Sequence, residues 1–381
     1  MIRIVTIVGT RPDTIKLAPV LYELKDREEV KSILCSSGQH LEMLEQALDI
    51  FGLKPDIELK VMHPNQTLHS LTSRLMISIS EMLQEVKPDL VIVHGDTTTG
   101  LCGAISAFYL RIPVIHVEAG LRTHSMVDPF PEEFNRQAIA RIADIQFAPT
   151  EKAATNLRRE GVVDSQIVVT GNTVVDSLRI VTKRLEQDAE LKTAVSNSLR
   201  KTLGFDYTKS FHVLITMHRR ENIGHGILNI CSAILRLSDL FPEIDFVLPV
   251  HLNPAVSNDV KKLLEGRENI HLLPPLPYIE FVALLSTCTL VITDSGGLQE
   301  ESVSLGKAAL VTRNLTERDE GVAGGLLEVV STDPERIFES ARKILAEPIP
   351  DRKPLVNPYG EIGVSKRLVD EILRRYSKQF D

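Results

Sequence analysis

The 381-residue sequence is poor in cysteine and in net positive charge, and it has no long apolar segment. Its four cysteines, Cys35, Cys102, Cys231 and Cys288, lie far apart in apolar surroundings, and no two of them have the spacing of zinc ligands. We therefore expect buried, reduced thiols, which are typical of a cytoplasmic protein, rather than disulfides or a zinc site.

No apolar run approaches the roughly 18 residues that a membrane-spanning helix needs. The N-terminal residues MIRIVTIVGT do not resemble a signal peptide, and Arg11-Pro12 interrupts their apolar run. A net charge of −8 argues against nucleic acid, whose binding proteins are more often basic. We expect a cytoplasmic protein without a membrane or nucleic-acid partner, which binds an anion only through a local pocket of donors.

Short apolar runs alternate with longer helical patterns in two successive sets. The first set covers 3–8, 31–37, 90–95, 113–120, 144–149 and 167–171, and the second covers 212–218, 245–251, 269–275, 290–295 and 308–312. Continuous apolar runs between helices are typical of parallel strands with both sheet faces covered. Since the chain is also long for one core, we predict an α/β protein with two Rossmann-like doubly wound domains.

Polar residues follow the predicted strands of the first set, where open parallel sheets bind ligands. Arg11 lies in the first strand-to-helix turn and suits a phosphate oxygen, and Lys16 follows about one helical turn later. The pairs His94/Asp96 and His116/Glu118 end two further strands. If these strands are neighbours, the four side chains form a proton-transfer cluster, a structural network or, least favoured, a metal site.

Glu132 opens a helix after Pro129-Phe130-Pro131, where a carboxylate stabilises the helix and is also available for catalysis. In the second set, His218 leaves the first strand beside two arginines, which indicates an anion-binding or acid–base cluster.

Ser295-Gly296-Gly297 follows another strand of the second set and opens a helix. The pattern fits a phosphate held by backbone N–H groups at the helix N-terminus, and equally a tight turn with a serine cap. Glu300 and Glu301 lie on the same helix and suit either a ribose diol or a solvated helix face. Because the sequence contains no G-x-G-x-x-G, we expect no dinucleotide cofactor.

Taken in order, these segments resemble the non-hydrolysing UDP-N-acetylglucosamine 2-epimerases over essentially the whole chain. The shared motifs are Gly9-Thr10-Arg11-Pro12, Gln39-His40, His94-Gly95-Asp96, His116-Val117-Glu118, Pro131-Glu132-Glu133, Gly171-Asn172-Thr173, His218-Arg219-Arg220, Pro249-Val250-His251, Asp294-Ser295-Gly296-Gly297 and Asn357-Pro358-Tyr359-Gly360. Each motif is weak alone, but their ordered set is specific.

The resemblance implies a glycosyltransferase-B-like fold, with two Rossmann-like domains and a central cleft. We place the N-terminal domain at 1–172, with the C-terminal helix of 361–381 packing back on it, and the UDP-binding domain at 173–360. The resemblance implies catalytic roles for Asp96, Glu118, Glu132 and His218. It also implies a UDP-sugar substrate bound by Arg11, Lys16, Phe281, Ser295, Gly296, Gly297, Glu301 and Arg318.

The implied reaction is reversible epimerisation at C2 of UDP-N-acetylglucosamine, through loss and re-addition of UDP, with no cofactor and no metal. A homodimer is also expected. The alternatives are a hydrolysing epimerase, a glycosyltransferase of the same fold and a non-catalytic sugar-nucleotide sensor.

Some positions depart from the family pattern. Asp13 stands where glutamate is usual, and Leu41 and Asn65 stand where basic residues are usual. Gln39 and His40 imply an allosteric site for a second sugar nucleotide, which Leu41 and Asn65 are expected to weaken.

Overall fold

Two parallel β-sheets with flanking helices form the protein in the computed structural model, which describes residues 1–38, 41–63, 66–127, 129–250, 253–347 and 357–376. The chain divides into unit 1, made of Met1–Arg179 and Tyr359–Asp381, and unit 2, made of Ile180–Pro358. The domain boundaries expected after residues 172 and 360 stay a prediction.

The sheet of unit 1 contains seven described strands in the order β3-β2-β1-β4-β5-β6-β7. They are β1 (Ile2–Val8), β2 (Val30–Ser36), β3 (Ile57–Glu58), β4 (Leu90–His94), β5 (Val114–Val117), β6 (Ile145–Ala148) and β7 (Ile167–Val169). The helices are α1 (Arg11–Lys25), α2 (Leu41–Ile50), α3 (Leu68–Val86), α4 (Thr98–Tyr109), α5 (Glu132–Ala140), α6 (Glu151–Arg159) and α7 (Val174–Gln187), which runs into unit 2.

Unit 2 contains six described strands in the order β10-β9-β8-β11-β12-β13. They are β8 (His212–Thr216), β9 (Asp245–Pro249), β10 (Ile270–Leu273), β11 (Leu290–Thr293), β12 (Ala308–Val311) and β13 (Leu327–Val329). The helices are α8 (Ala189–Leu203), α9 (His225–Leu240), α10 (Pro254–Leu264), α11 (Tyr278–Thr287), α12 (Gly296–Ser304), α13 (Asp319–Ala323) and α14 (Pro334–Ala346). The last helix, α15 (Val364–Tyr376), belongs to unit 1.

Both sheets are doubly wound, as predicted. In unit 1, β1 pairs in parallel with β2 on one side and with β4 on the other. In unit 2, β8 pairs in the same way with β9 and β11. The strand order therefore reverses beside the first strand of each unit, and ligands bind at such a switch point beyond the carboxyl ends of the strands.

The central strands are buried because apolar residues line both of their faces. Every residue of β4 is buried, and its valines pack with leucine and isoleucine side chains from α3 into the core of unit 1. The described residues contain no helix that is both long and apolar enough to cross a membrane. All four cysteines are buried, and burial raises the pKa of each thiol to about 12.

The α15 helix packs against α1 in unit 1. The Arg27 guanidinium, just after α1, lies 2.5 Å from the Asp370 carboxylate on α15. The start of α15 is held by Asp176 on α7, whose two carboxylate oxygens accept the backbone N–H groups of Gly363 and Ser365, both at 2.7 Å. Asp176 therefore serves as a long-range cap for α15.

We predict that Asp176→Ala loosens α15, because the mutation leaves two N–H groups at the helix start without their acceptors. The cost should be about 1–2 kcal/mol in unfolding free energy. Hydrogen exchange should become faster at the amides of 364–376. A suitable control is Asp188→Ala, which removes the side-chain cap of α8 and should leave exchange in α15 unchanged. Unchanged α15 exchange in Asp176→Ala would contradict the capping role.

Candidate functional site

In unit 1, the carboxylate of Asp13 ties together the turn after β1 and the end of β4. Its Oδ2 accepts the backbone N–H groups of Gly9, at 3.2 Å, and Thr10, at 3.1 Å. Its Oδ1 lies 3.1 Å from Nδ1 of His94, the last residue of β4. Asp13 and His94 are both buried, so this contact fixes two strand ends at the switch point.

Glu118, just beyond β5, is the centre of a charged cluster in the same unit. Its Oε2 makes an ion pair with Lys16 Nζ on α1 and accepts a hydrogen bond from Asn172 Nδ2 at 2.9 Å. His94 Nε2 lies 3.8 Å from the same oxygen. Glu118 has a φ of +62°, a conformation that costs free energy in a non-glycine residue and occurs mostly where the surroundings impose it.

The protonation of His94 follows from this cluster. Burial by itself would lower the pKa of His94, but the carboxylates of Glu118 and Asp13 outweigh burial and raise the pKa to about 9. Positive and negative side chains therefore alternate from Asp13 through His94 and Glu118 to Lys16.

Asp96 lies beyond β4 and has different partners from His94. Its carboxylate is 2.5 Å from Arg136 Nη2 on α5, and its backbone carbonyl accepts a hydrogen bond from Asn135 Nδ2 at 2.8 Å. Arg136 is buried, whereas the Asp96 side chain is about one quarter exposed at 26%. Asp96 is thus an oriented carboxylate that solvent or a ligand can reach.

Glu132 and Glu133 open α5 but differ in their hydrogen bonding. Glu133 is fully buried and accepts hydrogen bonds from Thr123 and Gln137, so its role is structural. Glu132 is partly exposed, and its buried Oε2 has no hydrogen-bond partner among the described residues. An unsatisfied buried carboxylate oxygen is costly and is more often found at functional sites.

Arg11, the first residue of α1, is also partly exposed.

His116 does not join this cluster, although the sequence grouped it with His94, Asp96 and Glu118. Its Nε2 lies 2.8 Å from the carbonyl oxygen of Gly95, and its Nδ1 lies 3.2 Å from Gln146 Oε1 on β6. Burial lowers the pKa of His116 to about 4. Of the three alternatives, the structural network describes His116. Within the described ranges, no group of three His, Cys, Asp or Glu side chains could hold a metal ion.

In unit 2, the fully buried Asp294 accepts backbone N–H groups at the switch point between β8 and β11, as Asp13 does in unit 1. Its Oδ2 accepts the backbone N–H groups of His218 and Arg219, both at 3.0 Å, and the Asn222 amide at 3.1 Å. Its Oδ1 lies 3.0 Å from His218 Nδ1. Burial alone would raise the pKa of Asp294, but the contacts from His218 and Arg219 hold it below its usual value. The imidazole of His218 remains 37% exposed.

Ser295, Gly296 and Gly297 form the turn into α12. The Ser295 side chain makes no capping hydrogen bond, so the serine-cap interpretation is wrong. A Cβ at Gly297 would meet no atom within 4 Å, whereas one at Gly296 would lie 2.6 Å from Arg318 Nη1. Gly297 therefore faces open space at the N-terminus of α12, where backbone N–H groups favour an anion.

The Arg318 guanidinium packs against Gly296 and contacts two buried carboxylates. Its Nε donates to Glu300 Oε1 at 2.8 Å, and its Nη1 pairs with Glu317. Glu301 accepts a hydrogen bond from the Tyr278 hydroxyl at 2.8 Å. Both Glu300 and Glu301 are buried, so the solvated-face interpretation is wrong. Phe281, one turn after Tyr278 on α11, is partly buried.

Comparison with known proteins identifies the family. A family model described as UDP-N-acetylglucosamine 2-epimerase matches residues 22–373. The UDP-N-acetylglucosamine 2-epimerase of Neisseria meningitidis is 41% identical over 374 residues, which cover 98% of this chain and 99% of that protein. The Bacillus subtilis enzyme of the same name is 42% identical, with coverage of 98% and 96%. This chain belongs to the UDP-N-acetylglucosamine 2-epimerase family.

Solved structures agree with this assignment. The crystal structure of the Neisseria meningitidis epimerase bound to UDP-GlcNAc matches with a TM-score of 0.93 over 98% of this chain and all of that chain. The Methanocaldococcus jannaschii epimerase in complex with UDP-GlcNAc and UDP is 30% identical, with a TM-score of 0.85 over 98% of this chain and 100% of that chain. The glycosyltransferase-B-like fold class predicted for this epimerase is confirmed.

Gln39 and His40, which the sequence analysis assigned to an expected allosteric site, lie outside the described residues, as does Asn65. Arg74 on α3 donates from Nη2 to Gln66 Oε1 at 2.5 Å and from Nε to the Val61 carbonyl oxygen at 3.1 Å.

Several residues of the candidate site were not assigned a role in it from the sequence. Asp13 carried a local signal, since Thr10-x-x-Asp13 has capping-box spacing, and the structure contains that box. Asn172 belongs to the shared motif Gly171-Asn172-Thr173, but its partner Glu118 is 54 residues away in the chain. Arg136 and Tyr278 carried no signal, because their partners are 40 and 23 residues away, respectively.

We predict that His116 makes the epimerase sensitive to mild acid. Folding lowers the pKa of His116 from its usual value of about 6.5 to about 4, so the unfolded chain takes up a proton at a higher pH than the folded protein does. The stability that neutral His116 contributes is therefore complete above a pH of about 6.5 and is lost as pH falls towards 4. Between pH values of about 7 and 5, wild type should lose about 2 kcal/mol more unfolding free energy than His116→Gln. Urea unfolding at both pH values measures the difference, with the exposed His124→Gln as control. Equal losses in wild type and His116→Gln would refute the prediction.

Proposed function

We propose that this protein reversibly epimerises UDP-N-acetylglucosamine at C2 to UDP-N-acetylmannosamine, by elimination and re-addition of UDP through a 2-acetamidoglucal. Membership of the epimerase family supports the substrate and the isomerase class. The observation that carries the mechanism is the set of carboxylates that follow β4 and β5 and open α5 in unit 1, of which Asp96 and Glu132 are partly exposed and Glu118 is paired with a cation.

Unit 2 is proposed to hold the nucleotide. The open space at Gly297 and the uncapped start of α12 suit a diphosphate, because backbone N–H groups there point outwards with the positive end of the helix dipole. Ser295, Gly296, His218 and Arg318 are proposed to belong to the same phosphate site of unit 2, and Arg11 of unit 1 is proposed to bind the UDP-sugar as well. Glu301, oriented by Tyr278, is proposed to accept from the ribose hydroxyls, and Phe281 to lie against uracil.

The reaction consists of an elimination, which breaks the C2–H and C1–O bonds, and a re-addition, which forms both bonds again. A carboxylate takes the C2 proton, the electrons of that C–H bond form a C1=C2 double bond, and the C1–O bond to UDP breaks with its electrons on the diphosphate. Return of a proton to the opposite face of C2, with attack of a UDP oxygen at C1, gives the epimer. Positive donors stabilise the leaving diphosphate in both directions.

Proton delivery to both faces of C2 requires more than one acid–base group, and unit 1 supplies three oriented carboxylates. Lys16 and His94 lie beside the Glu118 carboxylate, and positive neighbours favour the ionised form that a base requires. Glu132 keeps an unsatisfied oxygen for a ligand, and Asp96 is oriented by Arg136. Because hydrogen moves only as a proton, no nicotinamide and no metal is needed. The homodimer and the cytoplasmic location stay predictions.

We predict that the epimer formed in heavy water carries deuterium at C2, because solvent exchanges with the proton held on the carboxylate. The measurement is proton NMR and mass spectrometry of the UDP-sugar product. Traces of the glucal and of free UDP should accompany it. An epimer without deuterium would rule out C2 deprotonation. Stoichiometric free N-acetylmannosamine and UDP would identify a hydrolysing epimerase, and transfer to an added acceptor with the C2 hydrogen retained would identify a glycosyltransferase.

We also predict that Asp96→Asn, Glu118→Gln and Glu132→Gln each lower kcat by about a hundredfold or more, because an amide can neither accept nor deliver the proton. The matched control is Glu160→Gln, which alters a carboxylate of unit 1 that pairs with Arg122 and belongs to no proposed catalytic group. The control should keep near-normal kcat. If all three amide variants do the same, the proton-transfer assignment is wrong.

A further inference from the structure

We propose that His94 is a positioning residue of the epimerase, held as an imidazolium by Asp13, and that this charge fixes the Glu118 carboxylate for proton transfer. The inference rests on the proposed role of Glu118, which is the residue expected to touch the substrate. His94 itself is buried, so it acts through Glu118.

The first step concerns the proton on Nδ1 of His94. Asp13 Oδ2 is committed to the backbone N–H groups of Gly9 and Thr10. An ionised carboxylate only accepts hydrogen bonds, so Asp13 Oδ1 at 3.1 Å must receive the proton of Nδ1. The contact therefore sets the tautomer of His94, with its other nitrogen directed towards Glu118.

The second step concerns Nε2, which is buried and has no hydrogen-bond partner among the described residues. It lies 3.8 Å from Glu118 Oε2. A neutral ring would present a lone pair to this carboxylate, which is repulsive and leaves a buried acceptor unsatisfied. A protonated Nε2 presents a positive charge instead. The geometry alone thus favours the imidazolium, in agreement with the pKa of about 9.

The third step concerns what the imidazolium does for Glu118. Lys16 Nζ, Asn172 Nδ2 and His94 Nε2 all approach the same oxygen, Oε2. Two positive charges and one amide thereby stabilise the ionised carboxylate and fix the rotamer of Glu118, whose own backbone has an unfavourable positive φ. Loss of the His94 charge would remove one of these restraints.

Four titratable groups, from α1, from β5 and from the turn after β5, surround His94. They are Asp13 and Lys16 on α1, Glu118 after β5, and His116 on β5, whose pKa the charge of His94 lowers. Since burial lowers the pKa of His116 to about 4, His116 is neutral throughout the range in which His94 loses its proton.

The test compares Asp13→Asn with Asp13→Glu. In Asp13→Asn, the amide oxygen is required by the N–H groups of Gly9 and Thr10, so the NH₂ group faces His94 Nδ1 and disfavours the imidazolium. The pKa of His94 should fall by about one to two units, and the alkaline limb of the kcat–pH profile should move down with it. At neutral pH, kcat should fall about tenfold or more with KM nearly unchanged. Asp13→Glu keeps the carboxylate and should restore the profile.

A second readout does not depend on activity. Nitrogen-15 NMR of the histidine rings, with the His94 signals assigned by their loss in His94→Gln, should show both ring nitrogens of His94 protonated near neutral pH in wild type. A neutral His94 there would overturn the inference, whether or not Asp13→Asn folds. An alkaline limb that stays in place in Asp13→Asn, with deuterium still entering C2 in wild type, would also overturn it. Absence of C2 deuterium in wild type would instead reject the proposed function and leave the charge of His94 to the NMR result.

Discussion

A buried carboxylate at each switch point is the constraint on which the candidate site depends. Parallel strands that separate at their carboxyl ends leave backbone N–H groups of the following turn without partners, and buried donors of this kind must be satisfied. Asp13 supplies the acceptor in unit 1 and Asp294 supplies it in unit 2. Each also contacts a histidine, His94 or His218, so the group that stabilises the turn also orients an imidazole.

In the two units, the carboxylate and the histidine come from opposite strands of the switch point. In unit 1 the carboxylate comes from the helix after the first strand, and the histidine ends the neighbouring strand. In unit 2 the carboxylate follows the neighbouring strand, and the histidine follows the first. The two histidines also differ in burial, and therefore in what they can contact. His94 is enclosed and acts on Glu118, whereas His218 is partly exposed beside the phosphate turn proposed for UDP.

Much of the fold could be predicted because it depends on local pattern. The short apolar runs form strands, with ends shifted by a few residues, and Val364–Tyr376 forms the predicted last helix. The strands β3 and β13 were missed, because β3 has only two residues and the charged Glu328 interrupts the apolar pattern of β13, whereas the three-residue edge strand β7 is apolar throughout and was predicted. Glu300 and Glu301 were hard to interpret for another reason, since charge suggests solvent until a partner such as Arg318 or Tyr278 is known.

The sequence by itself determined the α/β class, the doubly wound pattern, the family and the positions at strand ends that carry polar side chains, because these depend on residue order and short-range periodicity. Only the tertiary structure decided which of those side chains meet. It separated His116 from the cluster, brought His94 and Lys16 to Glu118 across 24 and 102 residues of chain, and brought Asp13 to His94 across 81 residues. The physical reason is that ionisation and orientation depend on distance in space, which folding sets and sequence spacing does not.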